Sequence, residues 1–328
     1  MPGSSPILAL DLGASRIRAG VVRPNGTIVV RADGSTRAAD GPAAVISDAI
    51  ALLERVRAQA PSAIRAKIDA LGISALGPLD PATGHLRQPP NLPRTFYDVP
   101  LSRPLGEALG LPTAIDRDTH VAALGEATFG AARGAVDFLY LTVSTGIGGA
   151  IVADGRLVAG RAGVGGELGH LPIDLDGPPC GCGARGHLEA IASGAGIARA
   201  ASAAIEAGRA PGLRALLDRL APEALTARDV AAAEDGGDPS AHEIMERARA
   251  AFAAAAVGLV DMFAPELIVV GGSIARAQGD RLLGPARTAV RELAFPMAAA
   301  RVRIVEARLG DDVGLVGAVP LVAARLAG

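Results

Sequence analysis

Residues 7–30, ILALDLGASRIRAGVVRPNGTIVV, and residues 138–158, FLYLTVSTGIGGAIVADGRLV, carry one pattern twice. In the first, an apolar run at 7–10 stops at Asp11-Leu12-Gly13-Ala14-Ser15, a second run follows at 17–22, Pro24-Asn25-Gly26 turns the chain, and a third run occupies 28–30. In the second, residues 138–143 are apolar, Ser144-Thr145-Gly146-Ile147-Gly148-Gly149 forms the hinge, 150–153 resume, and Asp154-Gly155 turns into 156–158. Short apolar runs bounded by turn residues read as a three-stranded meander with a polar hinge at its first turn. Two copies predict two related lobes with facing hinges, a natural place to clamp a ligand.

Outward from these copies, strands alternate with helices, which indicates an α/β architecture. Residues 41–60 place Val45, Ile46, Ile50, Leu53 and Val56 on one helical face, and 70–75 read as a buried strand. A proline-rich connection follows and carries Asn91-Leu92-Pro93. A short strand at 112–115 ends in Asp116-Arg117-Asp118, ahead of a helix at 119–130. Beyond residue 190 the pattern is mainly helical, at 193–208, 213–220, 227–234 and 240–263. A strand at 267–270 then ends in Gly271-Gly272-Ser273, and a helix from about 279, a strand at 302–306 and a last helix from 313 complete the chain.

The chain has 328 residues, half of them apolar, enough for two domains of ordinary size. A net charge of −2 leaves no electrostatic footprint for nucleic acid. The N-terminus lacks a basic signal-peptide region, and the longest apolar run, 250–260, is too short to span a bilayer. A soluble, cytoplasmic protein is expected, with no nucleic-acid or membrane partner. The single lysine, Lys67, excludes a G-x-x-x-x-G-K-[ST] phosphate loop, so any nucleotide must be held differently.

Both cysteines and two of the five histidines fall in residues 165–189, GGELGHLPIDLDGPPCGCGARGHLE. His170, Cys180, Cys182 and His187 form H-x9-C-x-C-x4-H, two thiolates and two imidazoles suited to a closed tetrahedral zinc site. The competing reading is a glycine-rich loop with two buried thiols and unrelated histidines. Glu167 and Glu189 are not needed to complete four ligands, so both remain for a polar ligand. Glu167 and His170 would share a face if their segment is helical.

At the first hinge, Gly13 lets the backbone approach an anion, and the Asp11 carboxylate can hold Mg²⁺ through water. An ordinary hairpin turn is the alternative. The second hinge, with Thr145 and Gly146, has more glycines and hydroxyls than a turn requires. Together the hinges read as two jaws around a polyphosphate. Asp118, at the C-terminal edge of a strand, is placed to accept the proton of a substrate hydroxyl as it attacks phosphorus. The alternative is that Asp116 or Asp118 only caps the following helix.

With these residues in hand, the chain resembles the ROK family, the group named for its repressors, open reading frames and sugar kinases. The resemblance runs from Asp11 to the closing LGDDVGLVG at 309–317, and residues 167–189 match the family signature. It implies the duplicated actin-like, or ribonuclease-H-like, ATPase fold, with two lobes about a central cleft. Residues 1–118, completed by the helix at 313–328, would form a smaller lobe, and 119–312 a larger one with the zinc loop and adenosine site. By resemblance Asp118 is the catalytic base, Glu167, His170 and Glu189 bind sugar hydroxyls, and Asn91 helps to shape the sugar side. Asp11, Gly13, Ser15, Thr145 and Gly146 match the phosphate segments, and Gly271-Gly272 the adenosine segment. ATP with Mg²⁺ is implied, as is a dimer or tetramer.

Three positions depart from the family pattern. His187 stands where a third cysteine is usual, giving Cys2His2 in place of Cys3His. Arg117 stands where an asparagine precedes the base, so a group that donates and accepts is replaced by one that only donates. His120 replaces a further asparagine two residues after the base. The expected activity is ATP-dependent phosphorylation of a hexose, first of all glucose to glucose 6-phosphate. An N-acetylhexosamine or fructose is the rival substrate, and a non-catalytic sugar sensor or regulator the rival class. With ten residues ahead of Asp11, the helix-turn-helix of a repressor is not expected.

Overall fold

The repeat is realised as two sheets with the same strand order. A computed structural model of the protein describes residues 5–89, 91–161, 163–220 and 225–326. The first part of the chain forms β1 (Ile7–Leu12), β2 (Arg16–Val22), β3 (Ile28–Ser35), α1 (Pro42–Gln59), α2 (Ser62–Arg65), β4 (Leu71–Ala75), β5 (Leu79–Asp80), β6 (His85–Arg87), β7 (Tyr97–Pro100), α3 (Ser102–Leu109), β8 (Thr113–Arg117) and α4 (Asp118–Phe129). Then come β9 (Phe138–Val143), β10 (Ile147–Ala153), β11 (Arg156–Leu157), α5 (Leu188–Ala192), α6 (Gly194–Glu206), α7 (Pro211–Leu220), α8 (Ala227–Asp235) and α9 (Pro239–Phe263). The last elements are β12 (Leu267–Gly271), α10 (Ser273–Gln278), α11 (Asp280–Leu293), α12 (Pro296–Ala299), β13 (Arg303–Glu306) and α13 (Val313–Leu326).

One sheet runs β3-β2-β1-β4-β8 and the other β11-β10-β9-β12-β13. In the first, β1 pairs antiparallel with β2 and parallel with β4, and β4 pairs parallel with β8. In the second, β12 pairs parallel with both β9 and β13. A hairpin meander extended by parallel strands is what two copies of one βββ-plus-crossover unit produce.

β1 shows why its sequence is apolar at nearly every position. Leu8, Leu10 and Leu12 join one core with Val45, Leu53 and Val56 of α1 and Leu105 of α3. Ile7 and Ala9, on the opposite pleat, join a second core with Val121 of α4 and Leu315, Ala318 and Val322 of α13. A strand covered on both faces has no polar side. Gly72 lets α13 press onto the sheet, since a Cβ there would stand 2.8 Å from that of Ala318.

The chain divides into two compact units. One takes the described residues of Met1–Ala135, Ala150–Gly165 and Ala307–Gly328, the other Val136–Gly149 and Gly166–Glu306. Residues 1–4, 90 and 327–328 of the expected smaller lobe, and 162 and 221–224 of the larger, lie outside the described residues. The proline-rich connection is more ordered than its sequence suggests, because β5, β6 and β7 form a small antiparallel sheet. Strands of two to four residues broken by proline and glycine are too short to show a period. Among the described residues, no helix is long and apolar enough to cross a membrane.

Candidate active site

In the first unit, the end of β1 is held by charge. The largely buried Asp11 carboxylate accepts from Arg18 Nη1 and Ser74 Oγ, each at 2.9 Å. Burial pushes its pKa above the usual carboxylate value, and Arg18 and Ser74 only partly offset this. Gly314 gives α13 access to it, since a Cβ there would lie 2.5 Å from Asp11 Cγ. Past Asp11, Gly13 N–H donates to Arg16 O, Thr36 Oγ1 donates to Gly13 O, and Thr36 N–H donates to Ser15 O. The hinge is therefore a fixed turn with Ser15 exposed at its tip. Two of the carboxylate's roughly four acceptor positions are used, which leaves room for water-mediated Mg²⁺.

Asp116, Arg117 and Asp118 follow one another across the end of β8 into α4, and their side chains have different fates. Asp116 is buried and lies 2.8 Å from His120 Nδ1, while Arg325 Nη2 on α13 donates to its other oxygen at 2.9 Å. Burial alone would raise its pKa, but His120, the Arg117 N–H and Arg325 together hold it below the ordinary value. Arg117 is also buried. Its Nη2 sits 2.7 Å from His120 Nε2 and donates to Gly165 O. With Arg117 donating to Nε2, the network assigns the His120 proton to Nδ1, facing Asp116.

The two replaced asparagine positions are thus a bonded pair. Asp118 opens α4, is exposed, and accepts from the Thr119 N–H at 2.8 Å. The helix cap is Arg117, without a side-chain cap bond, so neither aspartate plays the simple capping role. Asn91 lies exposed in a turn after β6.

In the second unit the site is built from backbone. Gly194 N–H donates to Ser144 O at 2.8 Å and Ala195 N–H to Thr145 O at 3.0 Å, so the start of α6 pins the hinge. Glu189, in the first turn of α5, accepts from Ile147 N–H at 2.9 Å, and a Cβ on Gly146 would stand 2.6 Å from that same oxygen. Gly272 has φ +97 and lies so near Val143 O that a Cβ would come within 2.4 Å. Ser273 Oγ lies 2.9 Å from Ser144 Oγ. Thr145, Gly146, Gly271 and Gly272 are brought together, next to the N-terminus of α10.

Glu167 and His170 bracket a 3-10 turn, Leu168–His170, rather than an α-helix. The turn is pressed against the same hinge, because a Cβ on Gly169 would fall 1.9 Å from Ile147 O. Ile147 is therefore where the Glu167–His170 turn, Glu189 and the glycine hinge meet. The anchoring roles of Ser74, Arg325 and the start of α6 were missed in the sequence. Only the last left a signal, Ser193 ahead of a Gly-Ala-Gly helix start, which the structure shows capping Gly196 N–H at 3.0 Å.

One ligand atom each from His170, Cys180, Cys182 and His187 lies within 4.8 Å of the others. The two Nδ1 atoms are 3.2 Å apart, Cys180 Sγ is 3.7 Å from His170 Nδ1, and Cys182 Sγ is 3.4 Å from His187 Nδ1. A tetrahedron with zinc–nitrogen bonds near 2.05 Å and zinc–sulfur bonds near 2.3 Å has edges of roughly 3.3 Å and 3.6 Å for these pairs. The donors stand at ligand separations, and the set fits zinc. Burial raises the Cys180 pKa, the Cys182 backbone N–H partly offsets it, and the Cys182 thiol and Glu189 raise it further, a penalty that a divalent cation reverses. A second group, Glu234, His242 and Glu246, fits less well, because the buried Arg249 already pairs with both glutamates.

The Thermotoga maritima glucokinase is 33% identical over 326 residues, 98% of each chain. The Shigella flexneri N-acetylmannosamine kinase is 32% identical over 313 residues, 95% of this chain and 96% of that one. The crystal structure of a ROK family glucokinase from Streptomyces griseus, in complex with glucose and AMPPNP, superposes with a TM-score of 0.78 at 28% identity, over 97% of this chain and 99% of that one. The fold of this chain is the actin-like, ribonuclease-H-like ATPase fold. The sequence model of the ROK family matches residues 7–325, and the chain belongs to that family.

Proposed function

We propose that the protein transfers the γ-phosphoryl group of ATP to the 6-hydroxyl of glucose. That it is an ATP-dependent sugar kinase follows from its family and from glucokinase relatives that align end to end. The choice of glucose rests on the same relatives and on the kept sugar-contact residues Glu167, His170 and Glu189.

The first unit supplies Asp118, whose exposed carboxylate takes the hydroxyl proton as the oxygen attacks phosphorus. It also supplies Asp11, which would hold Mg²⁺ through water. Bound there, the ion would neutralise charge on the phosphoryl group. The second unit supplies the glycine hinge for the phosphates, Gly271-Gly272 for the adenosine, and the sugar contacts. His170 Nδ1 faces the metal donor set, so Nε2 remains for a sugar hydroxyl. Zinc, held by His170, Cys180, Cys182 and His187, would brace that imidazole and leave the chemistry to the other groups.

The observation that carries this reading is the convergence at Ile147 of the Glu167–His170 turn, Glu189 and the glycine hinge. One rigid segment can thereby orient sugar and phosphate together, and phosphoryl transfer depends on such positioning. A coupled ADP-release assay with ATP, Mg²⁺ and a panel of sugars should give the highest kcat/KM with glucose. Preference for N-acetylmannosamine or another N-acetylhexosamine would transfer the reading to that class. The bonded Arg117–His120 pair, in place of two asparagines, is the feature that would favour it. Sugar binding without turnover on any member of the panel would favour the non-catalytic sensor.

A further inference from the structure

Cys180 and Cys182 are the two cysteines of the chain, and they differ in exposure: Cys180 is buried and Cys182 is exposed. A thiolate that meets solvent is open to oxidants, and phosphoryl transfer gives that exposure no role. With no third cysteine in the sequence, an oxidised Cys182 has one partner within the chain, and that partner is its neighbour but one.

The local backbone sets the two sulfurs together. Cys180 N–H donates to Ala184 O at 2.8 Å and Gly183 N–H to Cys180 O at 3.0 Å, so residues 180–184 form one tight turn. The Cys182 N–H bonds back to the Cys180 sulfur, and the two Sγ atoms lie within 4.8 Å of each other. Two residues apart, the Cα atoms stand no more than about 7 Å from each other even in extended chain, and the turn brings them into the span of a disulfide. No neighbour lies within 4 Å of where a Cβ on Gly181 would stand, which leaves the backbone between the sulfurs room to adjust.

We propose that Cys182 is a site of oxidation by hydroperoxides, and that the reaction joins it to Cys180 and dismantles the four-donor site. The Cys182 thiolate attacks one peroxide oxygen, the O–O bond breaks, and hydroxide leaves as Cys182 becomes a sulfenic acid. The Cys180 thiolate then attacks the Cys182 sulfur, the S–S bond forms, and a second hydroxide leaves. The two thiolates are oxidised by two electrons in all, and the peroxide is reduced by the same two. A disulfide offers zinc no thiolate, so only the imidazoles of His170 and His187 remain and the metal is released. His170 then loses the brace on its ring. The proposal rests on these four residues being a zinc site and is independent of which sugar is phosphorylated.

The test uses the full chain, purified with zinc under reducing conditions, with metal content and turnover on the sugar panel measured before any oxidant is added. Hydrogen peroxide is then titrated in, and a chromogenic zinc chelator, thiol counting in denaturant and intact mass are read together. Zinc should appear in step with the loss of both thiols, and the denatured chain should weigh about 2 Da less, as one intramolecular disulfide requires. The KM of the preferred sugar should rise at least about tenfold while that of ATP holds, and dithiothreitol with added zinc should restore it. Cys182→His keeps four ligands but has no second sulfur, so it should retain its zinc under the same treatment; if it does not bind zinc, Cys182→Asp takes its place. Zinc retained after both thiols are lost, a sulfinic acid about 32 Da heavier, or disulfide-linked pairs of chains would overturn the proposal with the zinc site intact. A folded chain without zinc at the outset would overturn the zinc site itself, and the proposal with it.

Discussion

At the end of β1 the cross-strand neighbours are Asp11 and Ser74, and at the corresponding place on β9 they are Thr142 and Gly271. The first copy of the repeat has a carboxylate there, buried against Arg18 and Ser74 at a cost in ionisation. The second has a glycine, and the chain then turns at Gly272 directly into α10. In the first copy, Ala75 follows Ser74, Leu76 N–H donates to Leu12 O, and the chain departs on a long excursion through β5, β6 and β7. On the proposed function, one scaffold would serve anions in two ways. One hinge would offer a negative group to recruit a cation, and the other close backbone approach and N–H groups.

The sharpest way to break that contrast is Asp11→Asn. Turnover should fall about a thousandfold or more, the several kcal/mol that metal-assisted charge stabilisation supplies. Stability should hold or rise at neutral pH. Asp11 has a raised folded pKa, so its ionised form opposes folding as pH climbs through and above the usual carboxylate range. Equal activity across Mg²⁺ concentrations in the variant and the wild type would remove Asp11 from the metal site.

Next is Gly272→Ala, which should destabilise the protein by about 2–4 kcal/mol in denaturant unfolding, through its φ of +97 and the 2.4 Å approach to Val143 O. Its counterpart Ala75 is not among the residues with positive φ, so Ala75→Gly should cost roughly 1 kcal/mol at most.

Within the first unit, Arg117→Asn and His120→Asn should each destabilise more than their combination implies. The double-mutant cycle should return about 1–2 kcal/mol of coupling, and strict additivity would show that the 2.7 Å contact carries nothing. The smallest effect is expected from Arg325→Gln. Asp116 has a depressed folded pKa, so its stabilisation is present above the ordinary aspartate pKa and is lost as pH falls through the folded one. Since Arg325 is 46% exposed, the variant should lose about 0.5 kcal/mol at neutral pH, and the loss should vanish in acid.

Much of this was legible in the sequence because it rests on spacing. The two meanders declare themselves through apolar runs and turn residues, and the H-x9-C-x-C-x4-H spacing names four side chains whose ligand atoms the fold does bring within 4.8 Å of one another. What stayed hidden is contact across long separations. Nothing near Asp11 announces Ser74, and nothing near Asp116 announces Arg325, 209 residues away. The join of Glu189 to Ile147 was hidden for the same reason, because it is a side chain meeting a backbone N–H. The Glu167–His170 segment was open between helix and loop, and close packing of Gly169 on Ile147 settles it as a single tight turn.

The most direct test is Asp118→Asn, measured for glucose turnover with ATP and, separately, for glucose binding by calorimetry. If Asp118 is the base, as proposed, kcat should fall about a hundredfold to ten-thousandfold, with glucose affinity kept within roughly an order of magnitude. Turnover persisting near the wild-type rate would contradict it and place the base elsewhere.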